Sequence, residues 1–209
     1  MTPFPHAPPP AVPPGGPPAG PARRERALRA LSGGGVLLEL VKTVGLSILV
    51  FLLLQAFVGR TYAVEQTSME MTLLPGQHVI VDRLTPHFDP YKRGDIIVFA
   101  PPAGSGVSDP LIKRVIGVAG DTIDIRDGAV YVNGQRLVEP YTYGGQPTLP
   151  IGDVSHWVVG PGQLFVLGDH RAVSIDSRVF GPIEVSSVVG RAWLRILPLD
   201  RFGFLAGAP

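Results

Sequence analysis

The stretch from Gln66 to Gly76 reads QTSMEMTLLPG, and the rest of the chain is arranged around it. It follows the only membrane-length apolar run in the sequence and precedes Val79, Ile80 and Val81, a run typical of a strand. We take Ser68 as the residue in this stretch that carries the reacting atom. Taken alone, Ser68 is more simply interpreted as a solvated turn residue before a strand, so its role depends on polar residues elsewhere.

Length and composition restrict what the chain can be. With 209 residues, about one compact domain is left once a tail and an anchor are set aside. The net charge of +1 offers no strongly basic surface, so nucleic acid is not an expected partner. The chain has no cysteine, which excludes a thiol nucleophile, a thiolate metal site and a disulfide framework. The histidines do not lie at metal-ligand spacing, and we expect neither a metal nor a cofactor.

The first 35 residues predict a disordered cytoplasmic tail. Residues 1–21 hold ten of the 23 prolines, and such a segment cannot bury enough apolar surface to order itself. Four arginines follow between residues 23 and 29, a cluster that the positive-inside rule assigns to the cytoplasm.

Residues 36–60 predict one transmembrane anchor. The run from Val41 to Val58 is almost wholly apolar, and Lys42 can extend toward the membrane surface at its near end. A buried core helix and a cleavable signal peptide are the alternatives, the second because Thr61-Tyr62-Ala63 is similar to a cleavage site. With the arginines inside, everything after Arg60 is expected outside the cytoplasm, in a single-pass protein of the cell membrane.

Residues 61–198 predict a mostly β extracytoplasmic domain, followed by a C-terminal tail at 199–209. Short β-branched runs recur, bounded by Gly, Pro and Asp. They are His78–Val81, Asp95–Phe99, Arg114–Val118, Thr122–Ile125, Ala129–Val132 and Leu164–Leu167, with Val188–Leu197 as the closing strand.

Residues from about 120 to 160 predict a small inserted hairpin region. Asp127-Gly128 and Asn133-Gly134 are two-residue hairpin signals, because a type I′ turn requires a positive φ at both central positions. The Gly- and Pro-rich segment from Tyr143 to Gly152 is expected to be the loop that leads back to the last strands.

A serine hydroxyl needs a base to take its proton, and Lys113 is the stronger candidate. It lies in an otherwise apolar run, where desolvation would lower its pKa and leave a neutral amine. The alternative places Lys113 on the solvent face of a half-buried strand. A Ser-His-Asp triad assembled from distant residues is a further possibility that no local sequence supports.

Taken together, these segments resemble the bacterial type I signal peptidase (leader peptidase), a membrane-bound serine protease with a Ser-Lys dyad. The resemblance runs from the anchor to Leu197 and implies a signal-peptidase-like β domain. The motifs that carry it, in the order of the family, are Ser68-Met69-Glu70 with Thr72-Leu73 and Gly76, Arg93-Gly94-Asp95 with Val98-Phe99, Ile112 to Gly117 with Gly120-Asp121, and Gly168-Asp169 with Arg171, Ser174, Asp176-Ser177-Arg178, Gly181 and Gly190.

The resemblance implies a role for each matching residue. Ser68 corresponds to the nucleophile and Lys113 to the general base. Ser174 resembles the serine that hydrogen-bonds the lysine amine and orients it. Asp176 and Arg178 resemble the ion pair that supports the Ser174 loop.

Three positions depart from the pattern of the family. The Ser68 N–H would supply half of an oxyanion hole, but the serine that often supplies the other half is replaced by Gln66, whose amide could serve. The proline expected after Ser-Met-Glu is Met71, and the asparagine often found after Gly-Asp is His170.

The resemblance also implies the substrate, which is the signal peptide of an exported preprotein ending in Ala-x-Ala or a similar sequence. Shallow apolar pockets are expected near Ser68, with contributions from Met69, Ile96 and Val98. An extended substrate could add to a sheet edge. The lipid bilayer and the secretion machinery are the other expected partners.

Two further functions compete with this one. The first is a repressor-type Ser-Lys autoprotease, which predicts a DNA-binding segment where this chain has an apolar run. The second is a catalytically inactive, membrane-tethered β domain that binds exported segments without cutting them.

Overall fold

The computed structural model describes residues 33–57, 60–205 and 207, so most of the predicted N-terminal tail lies outside the described residues. Helix α1, Gly33–Phe57, covers most of the predicted anchor. Side chains 35–51 of α1 are all exposed. Within the described part of the chain, no helix combines the length and the apolar character required to cross a membrane. The transmembrane anchor therefore stays a prediction.

From Arg60 onward the chain is mostly β, as the alternating runs predict. The strands are β1 Arg60–Ala63, β2 His78–Asp82, β3 Ile96–Phe99, β4 Leu111–Val118, β5 Thr122–Arg126, β6 Ala129–Val132, β7 Gln135–Arg136, β8 His156–Val158, β9 Gln163–Leu167, β10 Ile183–Glu184, β11 Val188–Leu197 and β12 Gly203–Phe204. Each predicted strand is present. β7 is the strand expected after the Asn133-Gly134 turn. Four strands were not predicted (β1, β8, β10 and β12), and the last three of these have only two or three residues, too few to show a period.

The strands form two antiparallel sheets. The larger has the order β1-β2-β11-β3-β4-β9-β10, and β12 pairs with β11. Part of the predicted C-terminal tail is thus a strand of the sheet. The smaller sheet has the order β7-β6-β5-β8 and is the predicted hairpin region. A single turn of helix, α2 Ser177–Phe180, was also not predicted, because four residues carry no helical period.

The two hairpin turns of the small sheet have the backbone that the sequence predicts. Asp127 and Gly128 have φ values of 51° and 73°, and Asn133 and Gly134 have values of 52° and 78°. Positive φ at both central positions is the requirement of a type I′ turn. The turns fix the β5–β6 and β6–β7 registers, with Ile125 opposite Val130.

The hydrophobic core consists of three clusters. The one on the Lys113 face of the large sheet contains Ile97, Phe99, Leu111, Val115, Leu164, Val166 and Ile183, and the other two share the opposite face. One cluster lies beneath the segment that carries Ser68 and contains Val64, Met69, Leu73, Val79, Val81, Ile96, Val98, Ile112 and Ala192. Another joins the two sheets and contains Ile116, Ile123, Ile125, Val130, Val132, Trp157, Val159, Phe165 and Leu167. The hairpin region is therefore packed on the large sheet through a continuous apolar contact.

Strand β4 is buried almost along its whole length. Because successive side chains point to opposite faces of a strand, Lys113 and Arg114 emerge on opposite sides of the sheet. β4 thus places one buried basic side chain on each face of the sheet. The hydrophobic clusters described above pack against the strand on both faces.

Gly190 provides a test of how closely the central strands approach. A Cβ at this position would lie 2.3 Å from the Asp82 carbonyl oxygen and 2.8 Å from Val81 Cγ1. We expect Gly190→Ala to lower the free energy of unfolding by about 1–3 kcal/mol, measured by urea denaturation, because β2 would have to move away from β11.

Gly203→Ala is the matched control, since a Cβ at Gly203 meets no atom within 4 Å. Equal urea midpoints for the two variants would show that this close approach does not constrain the sheet.

Candidate active site

Ser68 lies in a short 3₁₀ helix, Thr67–Met69, which leads out of the segment after β1. The Glu70 N–H closes this turn by donating to the Thr67 carbonyl oxygen at 3.0 Å. Met69 is buried in the core cluster below, which fixes the turn from beneath. Ser68 is 5% exposed and so is held at the bottom of a depression.

The Ser68 hydroxyl is hydrogen-bonded to the amine of Lys113. Lys113 Nζ lies 2.7 Å from Ser68 Oγ and 3.1 Å from the Ile112 carbonyl oxygen. Lys113 is 1% exposed, which excludes the alternative of a lysine on a solvated strand face. The hydroxyl thus has a lysine as its partner, and not a histidine as the triad interpretation requires.

Burial lowers the pKa of Lys113 from 10.5 to about 8. Desolvation of the charged ammonium is the largest cause, and the negative charges of Asp176 and Asp169 oppose it. The amine is therefore neutral in a substantial part of the protein near pH 8. A neutral amine next to a hydroxyl is able to accept the proton of that hydroxyl.

Ser174 lies close to the dyad but does not make the expected hydrogen bond to the lysine amine. Its Oγ is buried and has no hydrogen-bond partner among the described residues. The close packing here depends on Gly168, where a Cβ would lie 2.2 Å from Ser174 Oγ and 2.6 Å from the Ser68 carbonyl oxygen. Gly168 thus allows the Ser174 loop and the Ser68 turn to meet.

Asp176 and Arg178 form the expected ion pair, and both are buried. Arg178 Nε and Nη2 each lie 2.9 Å from a different carboxylate oxygen of Asp176. Asp176 also accepts from the N–H of Gly168, and Arg178 donates to the carbonyl oxygen of Arg171 at 2.7 Å. The pair therefore ties together both ends of the loop that carries Ser174.

A second buried ion pair, on the other face of β4, has no role in the sequence analysis. Arg114 Nε and Nη2 lie 2.9 and 2.7 Å from the two carboxylate oxygens of Asp169, and Thr72 Oγ1 donates to Asp169 at 2.6 Å. The Arg114 guanidinium also stacks over the ring of Tyr141. The sequence signal that could have indicated this network is Arg114 itself, a second charged residue directly after Lys113 in an otherwise apolar run.

The hairpin region reaches the same loop through Glu139. Arg171 Nη2 lies 2.6 Å from Glu139 Oε1, and Arg171 also donates to Thr148 and, at 2.8 Å, to the Gly168 carbonyl oxygen. No sequence signal pointed to Glu139, because it lies in a loop and its partner is 32 residues away.

Two grooves meet at Ser68. One has a volume of 340 Å³ and lies between the segment Thr61–Glu65 and residues Asp109, Pro110 and Ile112. The other has a volume of 310 Å³ and is lined by Glu65, Gln66, Thr67, Ser68, Val107, Leu111, Lys113, Val173 and Ile175. Both contain Gln66, whose side chain does not cap the 3₁₀ helix.

Of the predicted substrate-contacting residues, Met69 lines the first groove, whereas Ile96 and Val98 do not line either groove. The side chains of Ile96 and Val98 are fully buried in the cluster below Met69. They pack in the same cluster as Met69 and Ile112, two residues that line the first groove, and so support the groove from the core side.

Met71 has a φ of 85°, which a proline ring cannot adopt. The turn after Ser68 therefore has a local backbone that the proline of the family pattern would not permit. Its side chain points away from the core and is 60% exposed.

Among the described residues, no group of acidic, histidine or cysteine side chains could hold a metal ion.

Comparison with known proteins identifies the family. The family described as "Signal peptidase, peptidase S26" matches residues 37–197. Signal peptidase I of Leptolyngbya laminosa is 36% identical over 178 residues, which cover 83% of this chain and 86% of that protein. Signal peptidase I of Bacillus caldolyticus is 37% identical, with 72% of this chain and 86% of that protein covered. A probable signal peptidase I-1 of Synechocystis is 38% identical over 159 residues, which cover 74% of this chain and 79% of that protein. The chain belongs to the signal peptidase family of serine endopeptidases, peptidase S26.

Proposed function

We propose that this enzyme removes N-terminal signal peptides from exported preproteins, with Ser68 as the nucleophile and Lys113 as the general base. The observation that carries the proposal is the 2.7 Å hydrogen bond between Lys113 Nζ and Ser68 Oγ in a site where both residues are buried. The competing binding-only function needs no base with a lowered pKa next to a serine hydroxyl.

The reaction follows from this geometry. Neutral Lys113 takes the hydroxyl proton as Ser68 Oγ bonds to the carbonyl carbon of the scissile peptide. When the tetrahedral intermediate collapses, the C–N bond breaks and the Lys113 ammonium gives its proton to the leaving amine. A water molecule then attacks the acyl-enzyme, with Lys113 again taking the proton, and Ser68 is regenerated.

The charge that develops on the substrate oxygen needs donors that are already in place. The Ser68 N–H lies in the first turn of its 3₁₀ helix, where backbone N–H groups have no partner inside the helix. Gln66 precedes it at the meeting point of the two grooves, and we assign its side-chain amide as the second donor.

The first groove suits an extended peptide with small residues. β1 is the end strand of the large sheet, so one of its edges is unpaired within the described chain. A substrate strand can add to such an edge through backbone hydrogen bonds, whatever its side chains. Ala63, Val64, Met69 and Ile112 give the groove a shallow apolar lining, which fits the side chains of an Ala-x-Ala site.

We further propose that α1 anchors the enzyme in the cytoplasmic membrane, with the domain after Arg60 outside the cytoplasm. The support is the run of apolar side chains exposed along the helix, among them Leu46, Leu49 and Phe51. A tether at the membrane surface would raise the effective concentration of membrane-inserted preproteins, which the secretion machinery delivers there.

Removal of the base should abolish cleavage without unfolding the protein. We expect Lys113→Met and Ser68→Ala each to lower kcat for an Ala-x-Ala preprotein by at least about 10²-fold, because each removes one of the reacting groups. Lys113→Met should also raise the free energy of unfolding at pH 7 by about 2 kcal/mol, since it replaces a desolvated amine by an apolar side chain of similar size. Normal cleavage by Lys113→Met would contradict the dyad.

The rate should depend on the titration of Lys113. Only the neutral amine accepts the Ser68 proton, and its pKa is lowered to about 8, so kcat/KM should rise with pH and level off above that value. The measurement is a pH profile on a peptide substrate that carries no titratable group between pH 6 and 10. A flat profile across pH 8 would contradict the role of Lys113 as base.

The anchor can be tested separately from the chemistry. The double variant Leu46→Arg/Leu49→Arg should move the enzyme from the membrane to the soluble fraction, because each arginine in the middle of a span costs about 2.5–3.5 kcal/mol. Cleavage of a membrane-inserted preprotein should then fall, while cleavage of a short soluble peptide is unchanged. Thr43→Arg, near the start of the apolar run from Val41 to Val58, is the control, and equal membrane fractions for the two proteins would contradict the anchor.

A further inference from the structure

Glu70 and His170 flank the dyad but have no part in the proposed reaction. His170 Nδ1 lies 2.9 Å from Glu70 Oε2, and the two side chains are only 14% and 23% exposed. A carboxylate oxygen only accepts hydrogen bonds, so Nδ1 carries the hydrogen of this bond. The pair joins the turn of the nucleophile to the loop of Ser174, two segments that are 100 residues apart in sequence.

The backbone of the same two residues is tied to the nucleophile. The N–H of His170 donates to the Ser68 carbonyl oxygen at 3.0 Å, and the N–H of Glu70 closes the 3₁₀ turn that contains Ser68. A movement of either side chain would therefore be transmitted directly to the peptide units on both sides of Ser68.

The hairpin region holds the imidazole from its other side. The ring of Tyr143 stacks on that of His170, with 4.1 Å between the centroids and 18° between the planes. The N–H of Tyr143 also donates to the carbonyl oxygen of Asp169, the residue before His170. His170 is thus fixed between the hairpin region and the turn of the nucleophile.

We propose that His170 and Glu70 form a latch that positions Ser68 for attack, which makes them positioning residues of the reaction. The inference rests on the proposed function, in which the orientation of Ser68 relative to Lys113 sets the rate. The hydrogen bond between the two side chains stops the Ser68 carbonyl, and with it the hydroxyl and the N–H, from drifting away from the geometry of attack. Displacements of about 1 Å at a reacting group are enough to lower a rate severely.

The test is a double-mutant cycle on the full-length enzyme with an Ala-x-Ala peptide. We expect His170→Ala and Glu70→Ala each to lower kcat about tenfold, with KM changed less than about twofold, and the double variant to be no slower than either single one. The inflection of the pH profile near 8 should stay in place, because Lys113 remains the titrating group.

His170→Asn supplies the rescue, since an asparagine amide nitrogen occupies nearly the same place as Nδ1 and can donate to Glu70. It should recover most of the lost kcat. His156→Ala is the matched control, because His156 makes a similar bond of 2.7 Å to Asp124 on an exposed part of the small sheet, away from Ser68. The latch is wrong if the losses in the cycle multiply, if only KM changes, or if the asparagine variant is as slow as the alanine one.

A readout without catalysis separates this inference from the dyad. In a Ser68→Ala background, Glu70→Ala should speed hydrogen exchange of the His170 amide at least about tenfold, because its acceptor, the carbonyl oxygen of residue 68, becomes mobile. Faster exchange with a normal kcat in the Glu70→Ala enzyme would mean that the tie exists but does not set the rate, which would overturn the latch and leave the proposed function untouched. Unchanged exchange would overturn the latch and leave the dyad untouched.

Discussion

The structure depends on one energetically unfavourable constraint: the amine of Lys113 is excluded from solvent and held next to Ser68. An ammonium ion loses its hydration in such a place, so the folded state disfavours the charged form. The core clusters around β4 supply the free energy that keeps the strand in place despite this cost. Asp169 and Asp176 are near enough to moderate the loss of charge, but each binds an arginine, so neither takes Lys113 as its ion-pair partner. Among the described residues, the amine has the Ser68 hydroxyl and the Ile112 carbonyl oxygen as its hydrogen-bond partners.

Because successive side chains of a strand point to opposite faces, Lys113 and Arg114 have different surroundings. Lys113 faces Ser68, and Arg114 points to the other side of the sheet, where Asp169 and Thr72 bind it. Asp169 begins the loop that returns toward Ser68, and Thr72 ends the turn that contains it. The same strand therefore carries the amine of the proposed base on one face. On the other face it carries the ion pair that ties the Ser68 turn and the Ser174 loop to the sheet.

The small sheet also contributes to the site, although it carries neither Ser68 nor Lys113. Glu139 binds Arg171, and Tyr143 covers His170, so the loop between Gly168 and Ser174 is held from the side of the hairpin region. The three departures from the family pattern, Gln66, Met71 and His170, all lie in or beside the turn of the nucleophile. The turn and its neighbours form one structural unit, in which the side chain of His170 is hydrogen-bonded to Glu70, the residue before Met71. The positive φ of Met71 belongs to that unit.

The sequence by itself determined the β class of the domain, the long strands and both hairpin turns, because these rest on local periods and on turn chemistry. Its motifs, in a fixed order, also predicted Ser68 and Lys113 as nucleophile and base. It could not determine the short strands, the partners of Arg114 and Arg171, or the exclusion of Ile96 and Val98 from the groove. Those features depend on which distant segments meet and on which face of β3 is turned inward. Only the tertiary structure decided that the Lys113 amine reaches Ser68 while Ser174 Oγ has no hydrogen-bond partner among the described residues, because both outcomes depend on how closely Gly168 lets two loops approach.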